Sequence, residues 1–232
     1  FEHTLVDKID KINGSYVLRT KECSVNTKKV VVTTNGFYQE GLVPQMNSRI
    51  LPVISNIIVT RKLTKKELDL HNFKTFSPIA NTKNLLYYYR KLPDNRILFG
   101  TRGDFVGSDQ SNLKRSKIME RFLKNIFPGW SNVSIDYNWR GLIAMSQKLT
   151  PSIGKIKNEE IYYGFGFHGV GVSSAPWTGK QLSKIVFSSN SKDLNISKIY
   201  KGLPKKFIFP KLRVFYFKLA VMFYNIKDKL NI

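Results

Sequence analysis

The sequence predicts a fold of the mixed α/β class. Residues 29–34 and 50–60 are runs rich in β-branched side chains, which is typical of strands. Residues 113–127 repeat apolar side chains at helical spacing instead, so they predict an amphipathic helix. A third segment, residues 162–172, joins an apolar strand-like run to a predicted helix through closely spaced glycines. We therefore expect strands and helices in one globular chain.

The composition is that of a folded protein without an internal disulfide framework. Of the 232 residues, 42% are apolar and 13% are aromatic, and Cys23 is the single cysteine. No apolar run approaches the roughly 18 residues that a spanning helix needs, and the first residues show no signal-peptide pattern. We expect a cytoplasmic protein. Because the sequence opens at Phe1, without a methionine and in the middle of a pattern, we also expect further sequence upstream.

The formal net charge of +22 raises the question of a nucleic-acid partner. The basic residues are mostly lysines scattered along the chain, and no helix-turn-helix, zinc-finger or RNA-recognition signature accompanies them. We therefore interpret the lysines as solvated surface residues and expect no nucleic-acid partner.

Two hairpins are predicted from strand-like runs that flank turn residues. Residues 6–12 and 16–20 flank Asn13-Gly14, and residues 85–90 and 96–100 flank a Pro-Asp-Asn turn. Successive side chains of a strand point to opposite faces, so Tyr87 and Tyr89 share one face of the second hairpin and Tyr88 and Arg90 share the other. One of these faces either lines a pocket or packs the sheet.

Local signals also place further helices and a strand. Thr64 and Glu67 have the spacing of a capping box, which predicts a short helix starting there. The helix predicted over residues 113–127 ends at Pro128-Gly129. Residues 133–139 alternate as a half-buried strand that continues to Met145, and residues 181–187 complete a later helix.

The glycine-rich segment matches a nucleotide-binding pattern but lacks its usual context. Gly164, Gly166 and Gly169 satisfy G-x-G-x-x-G, and the amides at the start of the following helix would point at negative charge. A dinucleotide fold would continue with a strand carrying an acidic residue about 20 residues on. Asp193 lies near that position, but inside a polar run. The segment is therefore not the first βαβ unit of a Rossmann domain.

The end of the sequence mixes lysines with aromatic residues. A basic aromatic helix of this kind either lies on an anionic membrane surface or docks on protein, and we favour docking. Peripheral membrane contact of residues 191–232 stays the alternative.

Several segments, taken in order, resemble the C-terminal part of the FAD-dependent amine and amino-acid oxidases. This is the group of D-amino-acid oxidase, glycine oxidase and sarcosine oxidase, and the resemblance is closest to the γ-glutamylputrescine oxidases. The segments are KVVVTTNGF at 29–37, RILPV at 49–53, YYR at 88–90, DNRILFGTR at 94–102, WRG at 139–141, PSIG at 151–154, YYGFGFHGVGV at 162–172 and FYNIKDKL at 223–230. The sequence departs from the family pattern at Lys148, where many members carry Asp, and at 169–171, which reads G-V-G where G-H-G is common.

The resemblance implies the C-terminal part of a two-domain FAD oxidoreductase, with a mixed-sheet substrate domain inserted in the FAD-binding domain. The family's N-terminal βαβ unit, which holds the pyrophosphate, has no counterpart in this sequence. The implied domains are residues 1–43 and 148–190 for FAD, residues 44–147 for substrate, and residues 191–232 as the basic aromatic tail.

The implied chemistry is oxidation of the C–N bond of an amine, amino acid or polyamine conjugate. Non-covalent FAD takes a hydride from the carbon next to nitrogen, and the imine is then hydrolysed. The flavin carries the chemistry, so no catalytic side chain and no metal are expected. The expected cofactor-binding residues are Val6, Thr34, Asn35, Gly36, Gly166, His168, Gly169, Val170, Gly171 and Val172.

A substrate carboxylate or amide favours the fork-shaped donor of arginine. The expected substrate-binding residues are Arg102, Tyr89, Arg90 and Trp139, with Arg140 as a further candidate. The alternative for each arginine is a surface ion pair.

Two functions remain open at this point. The first is the FAD-dependent oxidoreductase, completed by an N-terminal FAD-binding half, in which case this chain alone should be colourless. The second is a non-catalytic remnant or interaction module, which the absence of a phosphate-binding unit would favour.

Overall fold

A computed structural model describes residues 1–187 and 196–230, which form two compact units. Unit 1 consists of Phe1–Pro52 and Ile143–Arg213, and unit 2 consists of Val53–Leu142 and Val214–Ile232. The final helix thus belongs with unit 2, and the borders of the units differ from the predicted domain borders. Asp193 and its polar run lie outside the described residues.

The strands and helices follow the mixed α/β class predicted from the sequence. The strands are β1 (Lys8–Ile12), β2 (Ser15–Arg19), β3 (Ser24–Thr27), β4 (Val30–Val32), β5 (Leu51–Thr60), β6 (Ile79–Ala80), β7 (Tyr87–Lys91), β8 (Ile97–Arg102), β9 (Ile135–Met145), β10 (Ser152–Lys155) and β11 (Ile161–Phe165). The helices are α1 (Lys65–Leu70), α2 (Asp109–Ile126), α3 (Gly171–Phe187) and α4 (Arg213–Leu230). Short 3-10 turns cover Asn35–Phe37, Pro44–Met46, Pro128–Trp130 and Pro210–Leu212.

Unit 1 contains an antiparallel sheet of β1, β2 and β3 and a mixed sheet in the order β10-β11-β4. The predicted first hairpin is confirmed, because β1 and β2 pair around Asn13-Gly14, with φ of 49° and 79° at the two turn residues. Positive φ at both positions gives the turn a twist that matches that of the strands. The strand β3 was not predicted from the sequence.

The mixed sheet of unit 1 packs on both of its faces. Val32, Tyr163 and Phe165 lie in one apolar cluster with Tyr16 of β2. On the opposite face, Tyr162 packs with Leu182 of α3. The mixed sheet therefore lies between the antiparallel sheet and α3, as a buried three-layer arrangement requires.

Unit 2 is a five-stranded sheet in the order β6-β7-β8-β5-β9, covered by α2. The predicted β7–β8 hairpin is confirmed, with Tyr88 opposite Gly100. Met119 and Leu123 of α2 pack against Phe99 in the core. The helix starts four residues earlier than predicted because the side chain of Ser108 accepts a hydrogen bond from the Ser111 amide and caps it.

The C-terminal helix α4 docks within unit 2 through residues 214–230. The Asp228 carboxylate accepts hydrogen bonds from the backbone amides of Asn84 and Leu85, each at 2.9 Å. Val221 is buried, and the Phe217 ring meets the Phe105 ring edge-on at 5.4 Å. These contacts correspond to the docking alternative. Within residues 1–187 and 196–230, no helix combines the length and apolar character needed to cross a membrane.

The capping box predicted at the start of α1 is confirmed, and its glutamate also forms an ion pair with Arg61. Thr64 Oγ1 accepts from the Glu67 amide at 3.2 Å, and Glu67 Oε2 accepts from the Thr64 amide at 2.8 Å. Arg61 adds two hydrogen bonds to the same carboxylate, at 3.0 and 2.7 Å. Arg61 and then the Thr64 amide lower the pKa of Glu67 to about 2.

We expect Glu67→Gln to lower the free energy of unfolding by about 1 kcal/mol at neutral pH, because glutamine keeps the cap but loses the ion pair. The folded-state pKa lies below the unfolded value, so the charge stabilises the protein above the unfolded pKa and ceases to do so as the pH falls through about 2. The difference in the free energy of unfolding between Glu67→Gln and the wild type should therefore become smaller at acidic pH. Denaturant titrations at several pH values measure it, with Asp69→Asn on the same helix as control. An equal difference at neutral and at strongly acidic pH would contradict this assignment.

Candidate functional site

Two turns of unit 1 meet at one edge of the mixed sheet because β4 and β11 run parallel. Val30 pairs with Ile161 and Val32 pairs with Tyr163. The chain leaves β4 into the turn Asn35–Phe37 and leaves β11 into the glycine-rich turn that starts α3. In open α/β sheets, ligands bind outside the carboxyl ends of the strands. The edge where these two turns meet is therefore the candidate site.

A side-chain hydrogen bond joins the two turns. Asn35 Oδ1 accepts from the backbone amide of Gly166 at 2.9 Å, between residues 131 apart in sequence. Asn35 has φ of 48°, a left-handed conformation that asparagine tolerates better than most residues. Gly36 beside it is buried, and the Phe37 amide donates to the Thr34 carbonyl at 2.9 Å. Thr34, Asn35 and Gly36 thus form a sharp turn held against the end of β11.

The glycines of the second turn serve two different purposes. Gly166 and Gly169 have φ of 79° and 91°, which is left-handed backbone that side chains disfavour. Gly164 instead faces α3, where an added Cβ would lie 2.7 Å from Thr178 Cγ2. The G-x-G-x-x-G match therefore combines two turn glycines with one glycine that lets a helix approach a strand.

The start of α3 is exposed and has unpaired donors. The amides of Gly171 and Val172 donate to no residue of the described chain, whereas those of Ser173 and Ser174 reach the Val170 carbonyl. Val170 is 58% exposed and Val172 is 96% exposed. Free amides and the helix dipole make this end of α3 attractive to negative charge.

A shallow cavity opens beside the first turns of α3. Its volume is about 500 Å³. The lining residues are Pro151, Val170, Ser173, Ser174, Trp177 and Tyr200. Its walls are aromatic, aliphatic and hydroxyl-bearing, and carry no charged side chain, so the cavity suits a planar, largely apolar group.

His168 is a half-buried residue that fixes the glycine-rich turn. Its amide donates to the Ala144 carbonyl at 3.3 Å, and its Nε2 lies 3.2 Å from Ser146 Oγ. Its Nδ1 is buried and has no partner within the described residues. Burial lowers the pKa of His168, so the ring is neutral at pH 7. With φ of 51°, the residue also takes part in the left-handed path of the turn.

The remaining predicted cofactor residue lies in another sheet. Val6 precedes β1, at the start of the antiparallel sheet, where Asp7 pairs with Arg19. It therefore does not belong to the edge formed by β4 and β11, and its predicted role rests on the resemblance alone.

The predicted substrate residues are distributed over unit 2. Tyr89 packs against Phe99 and Phe127 in the core under α2. This face of the hairpin therefore packs the sheet, as in the second of the two alternatives given for it. Arg90 is exposed on the opposite face of β7, and Trp139 of β9 is 43% exposed. Arg90 and Trp139 are therefore accessible to solvent, whereas Tyr89 packs against the core.

The face of the β7–β8 hairpin that carries Arg90 also shows a close packing of Tyr88 on Gly100. A Cβ at Gly100 would lie 2.2 Å from the Tyr88 ring. Arg140, in contrast, donates to Asp109 Oδ1 at 3.0 Å and to the Ser108 carbonyl at 3.1 Å. Arg140 therefore forms the surface ion pair that was the alternative to substrate binding.

Arg102 lies in a cavity of unit 2 together with Arg115, which was not predicted from the sequence. The spacing of the sequence could have indicated Arg115, because it precedes the buried Met119 and Leu123 at intervals of about one helical turn. A charged residue on the buried stripe of a helix indicates a polar contact there.

Comparison with known proteins identifies the family. The family model described as "FAD dependent oxidoreductase" matches residues 1–185. The chain belongs to this family. Its cofactor is accordingly FAD, as the resemblance implied.

The curated relatives include oxidoreductases from several bacteria. The chain is 31% identical over 223 residues to a probable oxidoreductase OrdL of Haemophilus influenzae, covering 92% of this chain and 49% of the relative. It is 26% identical over 219 residues to the gamma-glutamylputrescine oxidoreductase of Escherichia coli, covering 93% of this chain and 49% of the relative. The chain thus spans about half the length of the curated relatives it matches.

Solved structures show the same fold. Glycine oxidase from Geobacillus kaustophilus matches with a TM-score of 0.64 and 17% identity, over 80% of this chain and 48% of that one. L-proline dehydrogenase from P. horikoshii matches with a TM-score of 0.64 and 20% identity, over 84% of this chain and 52% of that one. The predicted fold class, with its mixed sheets, is confirmed.

We expect His168→Asn to flatten the pH dependence of stability, because asparagine tolerates the left-handed backbone and does not titrate. The folded-state pKa of His168 lies below the ordinary value of 6.5, so stability is full above that value and falls as the pH drops below it. Thermal unfolding followed from neutral to mildly acidic pH measures the slope.

The matched control is His3→Asn, since His3 is exposed and has φ of 54°. This change should leave the slope as in the wild type. Equal slopes for His168→Asn and wild type would show that His168 does not titrate differently in the folded state.

Proposed function

We propose that this chain supplies the flavin-ring end of an FAD site and the substrate-binding sheet of an enzyme that oxidises a C–N bond. The substrate class is an amine, an amino acid or a polyamine conjugate. One observation carries the proposal: two turns meet at the carboxyl edge of β4 and β11, joined by the Asn35–Gly166 hydrogen bond.

The residues at this edge fit a flavin ring. The free amides of Gly171 and Val172 can donate to its carbonyl oxygens, and the exposed side chains of Val170 and Val172 offer apolar contact. Gly169 lacks a Cβ that would stand between ring and backbone. When bound, FAD supplies the acceptor for a hydride from the carbon next to the amine nitrogen.

The contribution of this chain to that reaction is binding and electrostatic orientation. The start of α3 would stabilise negative charge on the pyrimidine side of the ring. No acid or base side chain is required of the turn, and neutral His168 is engaged with Ser146 as a positioning residue. The imine product is hydrolysed by water.

The relatives and unit 2 support the proposed substrate class. The relatives named above include a gamma-glutamylputrescine oxidoreductase and the solved structures include a glycine oxidase. We assign substrate contact to the hairpin face with Arg90 and to Trp139, and keep Tyr89 and Arg102 as predicted contributors. A cytoplasmic setting is part of the same proposal.

We infer that residues outside this sequence bind the pyrophosphate end of FAD. No G-x-G-x-x-G follows a strand near residue 1, and the chain spans about half the length of its curated relatives. We propose that an N-terminal FAD-binding half completes the site.

The proposal is tested by anaerobic reduction of the FAD-loaded protein, in which this chain is joined to an N-terminal FAD-binding half. γ-Glutamylputrescine, glycine and L-proline, each chosen from a relative's name, are added in turn while the visible flavin absorbance is recorded. At least one amine is expected to bleach the flavin. If FAD binds and none of a broad set of amines, amino acids and polyamine conjugates bleaches it, the chain has the interaction role instead.

We expect Gly169→Ala to weaken FAD binding at least tenfold, because the new methyl group stands where the ring would lie. Within the protein the added Cβ meets only Ile143 Cδ1, at an ordinary 3.7 Å, so the structural cost is the backbone strain at φ of 91°. FAD affinity is measured by titration of the apoprotein that contains the N-terminal FAD-binding half.

Gly41→Ala provides the matched control. Gly41 has φ of 98° and nothing within 4 Å of an added Cβ, so it carries the same kind of strain away from the edge. If both variants bind FAD equally well, the ring does not lie against Gly169.

A further inference from the structure

Unit 2 contains a cavity that holds two arginines. Its volume is about 240 Å³, and it lies among β7, β8, α2 and the last turns of α4. Tyr87, Phe99 and Phe122 contribute an aromatic part of its lining. The charged lining residues are Arg102, Arg115, Lys83, Lys229 and one acid, Asp228. A cavity of this size is below the ~300 Å³ from which drug-sized ligand sites begin, so only a small molecule fits.

Backbone carbonyls hold the two guanidinium groups in place. Arg115 Nη2 donates to the Arg102 carbonyl at 2.7 Å, and Arg102 Nη1 donates to the Gly103 carbonyl at 2.7 Å. The Arg102 guanidinium also lies 4.9 Å from the centre of the Phe105 ring. Each group therefore keeps donors that these contacts do not use.

Neither guanidinium has an acidic partner in the part of the chain that the structure describes. The ion pairs there involve other arginines and lysines. The Nε atoms of Arg102 and Arg115 are buried without an acceptor. Two acids lie nearby. Asp228 accepts from Asn84 and Leu85, and Asp104 Oδ1 accepts from the Val106 and Gly107 amides. Asp104 Oδ2 has no hydrogen-bond partner among the described residues, and the charge of Asp104 offsets part of the effect of burial on the pKa of both arginines.

The acids around the two guanidinium groups offset only part of the cost of burying them. Burial, and then the charge of Arg115, lower the pKa of Arg102 to about 10, and burial also lowers the pKa of Arg115. Buried charges are normally paired, because an isolated desolvated charge destabilises the folded state. Lys83 and Lys229 at the rim add further positive charge.

We propose that this cavity binds a small organic carboxylate, with its oxygens on Arg102 and Arg115 and its apolar part against Tyr87, Phe99 and Phe122. Guanidinium forks match carboxylate oxygens in geometry and charge. Inorganic phosphate would satisfy the charges but leave the aromatic walls without a partner, so an organic anion is favoured.

The site goes beyond the proposed oxidoreductase function and does not rest on it. All of its lining residues belong to unit 2, and none is among the turn residues assigned to FAD. Arg102 is also a predicted substrate residue, but the carboxylate site is inferred only from its place in this cavity. A carboxylate in this cavity would lie on the face of the unit 2 sheet that α2 covers, which is the face where Tyr89 packs in the core.

Calorimetric titration of the protein with phenylacetate tests the proposal. We expect saturable binding that weakens at least tenfold with phenylacetamide, which has the same shape but no charge. Inorganic phosphate and chloride at matched ionic strength should bind more weakly than phenylacetate. Equal binding of acid and amide, no binding of phenylacetate, or tighter binding of phosphate would each overturn the proposal.

Variants locate the site. Arg102→Gln and Arg115→Gln should each weaken phenylacetate at least tenfold, while Arg121→Gln, at an exposed position of α2, should leave the affinity unchanged. Because loss of Arg115 removes a structural hydrogen bond, Phe122→Glu serves as a second variant. Phe122 is 49% exposed, and a carboxylate there would occupy the guanidiniums without deleting them. Wild-type affinity in folded Phe122→Glu, or an equal loss in Arg121→Gln, would place the binding elsewhere.

Discussion

The parallel pairing of β4 with β11 is the constraint on which the rest of unit 1 depends. It joins Val30–Val32 to a strand more than a hundred residues later in sequence. Two turns that share no local sequence signal are thereby brought to one sheet edge, and Asn35 fixes their spacing by accepting from the Gly166 amide. All five residues of β11 are buried, with alternate side chains on the two faces of the sheet. A register slip of one residue would exchange these two sets, so the packing of Tyr162 and Tyr163 in different clusters enforces the register.

The same pairing explains why the glycines matter. Because Gly164 has no side chain, α3 can pack closely against the sheet at Thr178. This packing places the start of α3 at the edge formed by β4 and β11. Gly166 and Gly169 then carry the backbone through left-handed conformations into the helix. The amides left unpaired at Gly171 and Val172 are a consequence of helix geometry, and their exposure is a consequence of the turn. In the proposed function, this nucleotide-like pattern contacts the ring of a flavin rather than its phosphates.

Much of the local structure could be predicted because its causes are local. The Asn13-Gly14 turn, the Thr64–Glu67 capping box and the β7–β8 hairpin each depend on residues a few positions apart. The start of α2 was misplaced because a serine cap outweighed the apolar spacing. The Asn35–Gly166 contact and the cavity of Arg102 and Arg115 could not be derived from the sequence, since each joins elements whose pairing the sequence does not specify. Which tyrosine face of β7 is buried was also decided by tertiary packing, through α2.

The central claim is that the turn from Gly166 into α3 lies against the flavin ring. Hydrogen–deuterium exchange of the FAD-loaded protein and of its apoprotein tests this most directly, because it reports on individual backbone amides. FAD should slow exchange at the otherwise unpaired amides of Gly171 and Val172 and at the adjoining turn of Asn35 and Gly36. Protection elsewhere in the chain, with unchanged exchange at these amides, would contradict the account.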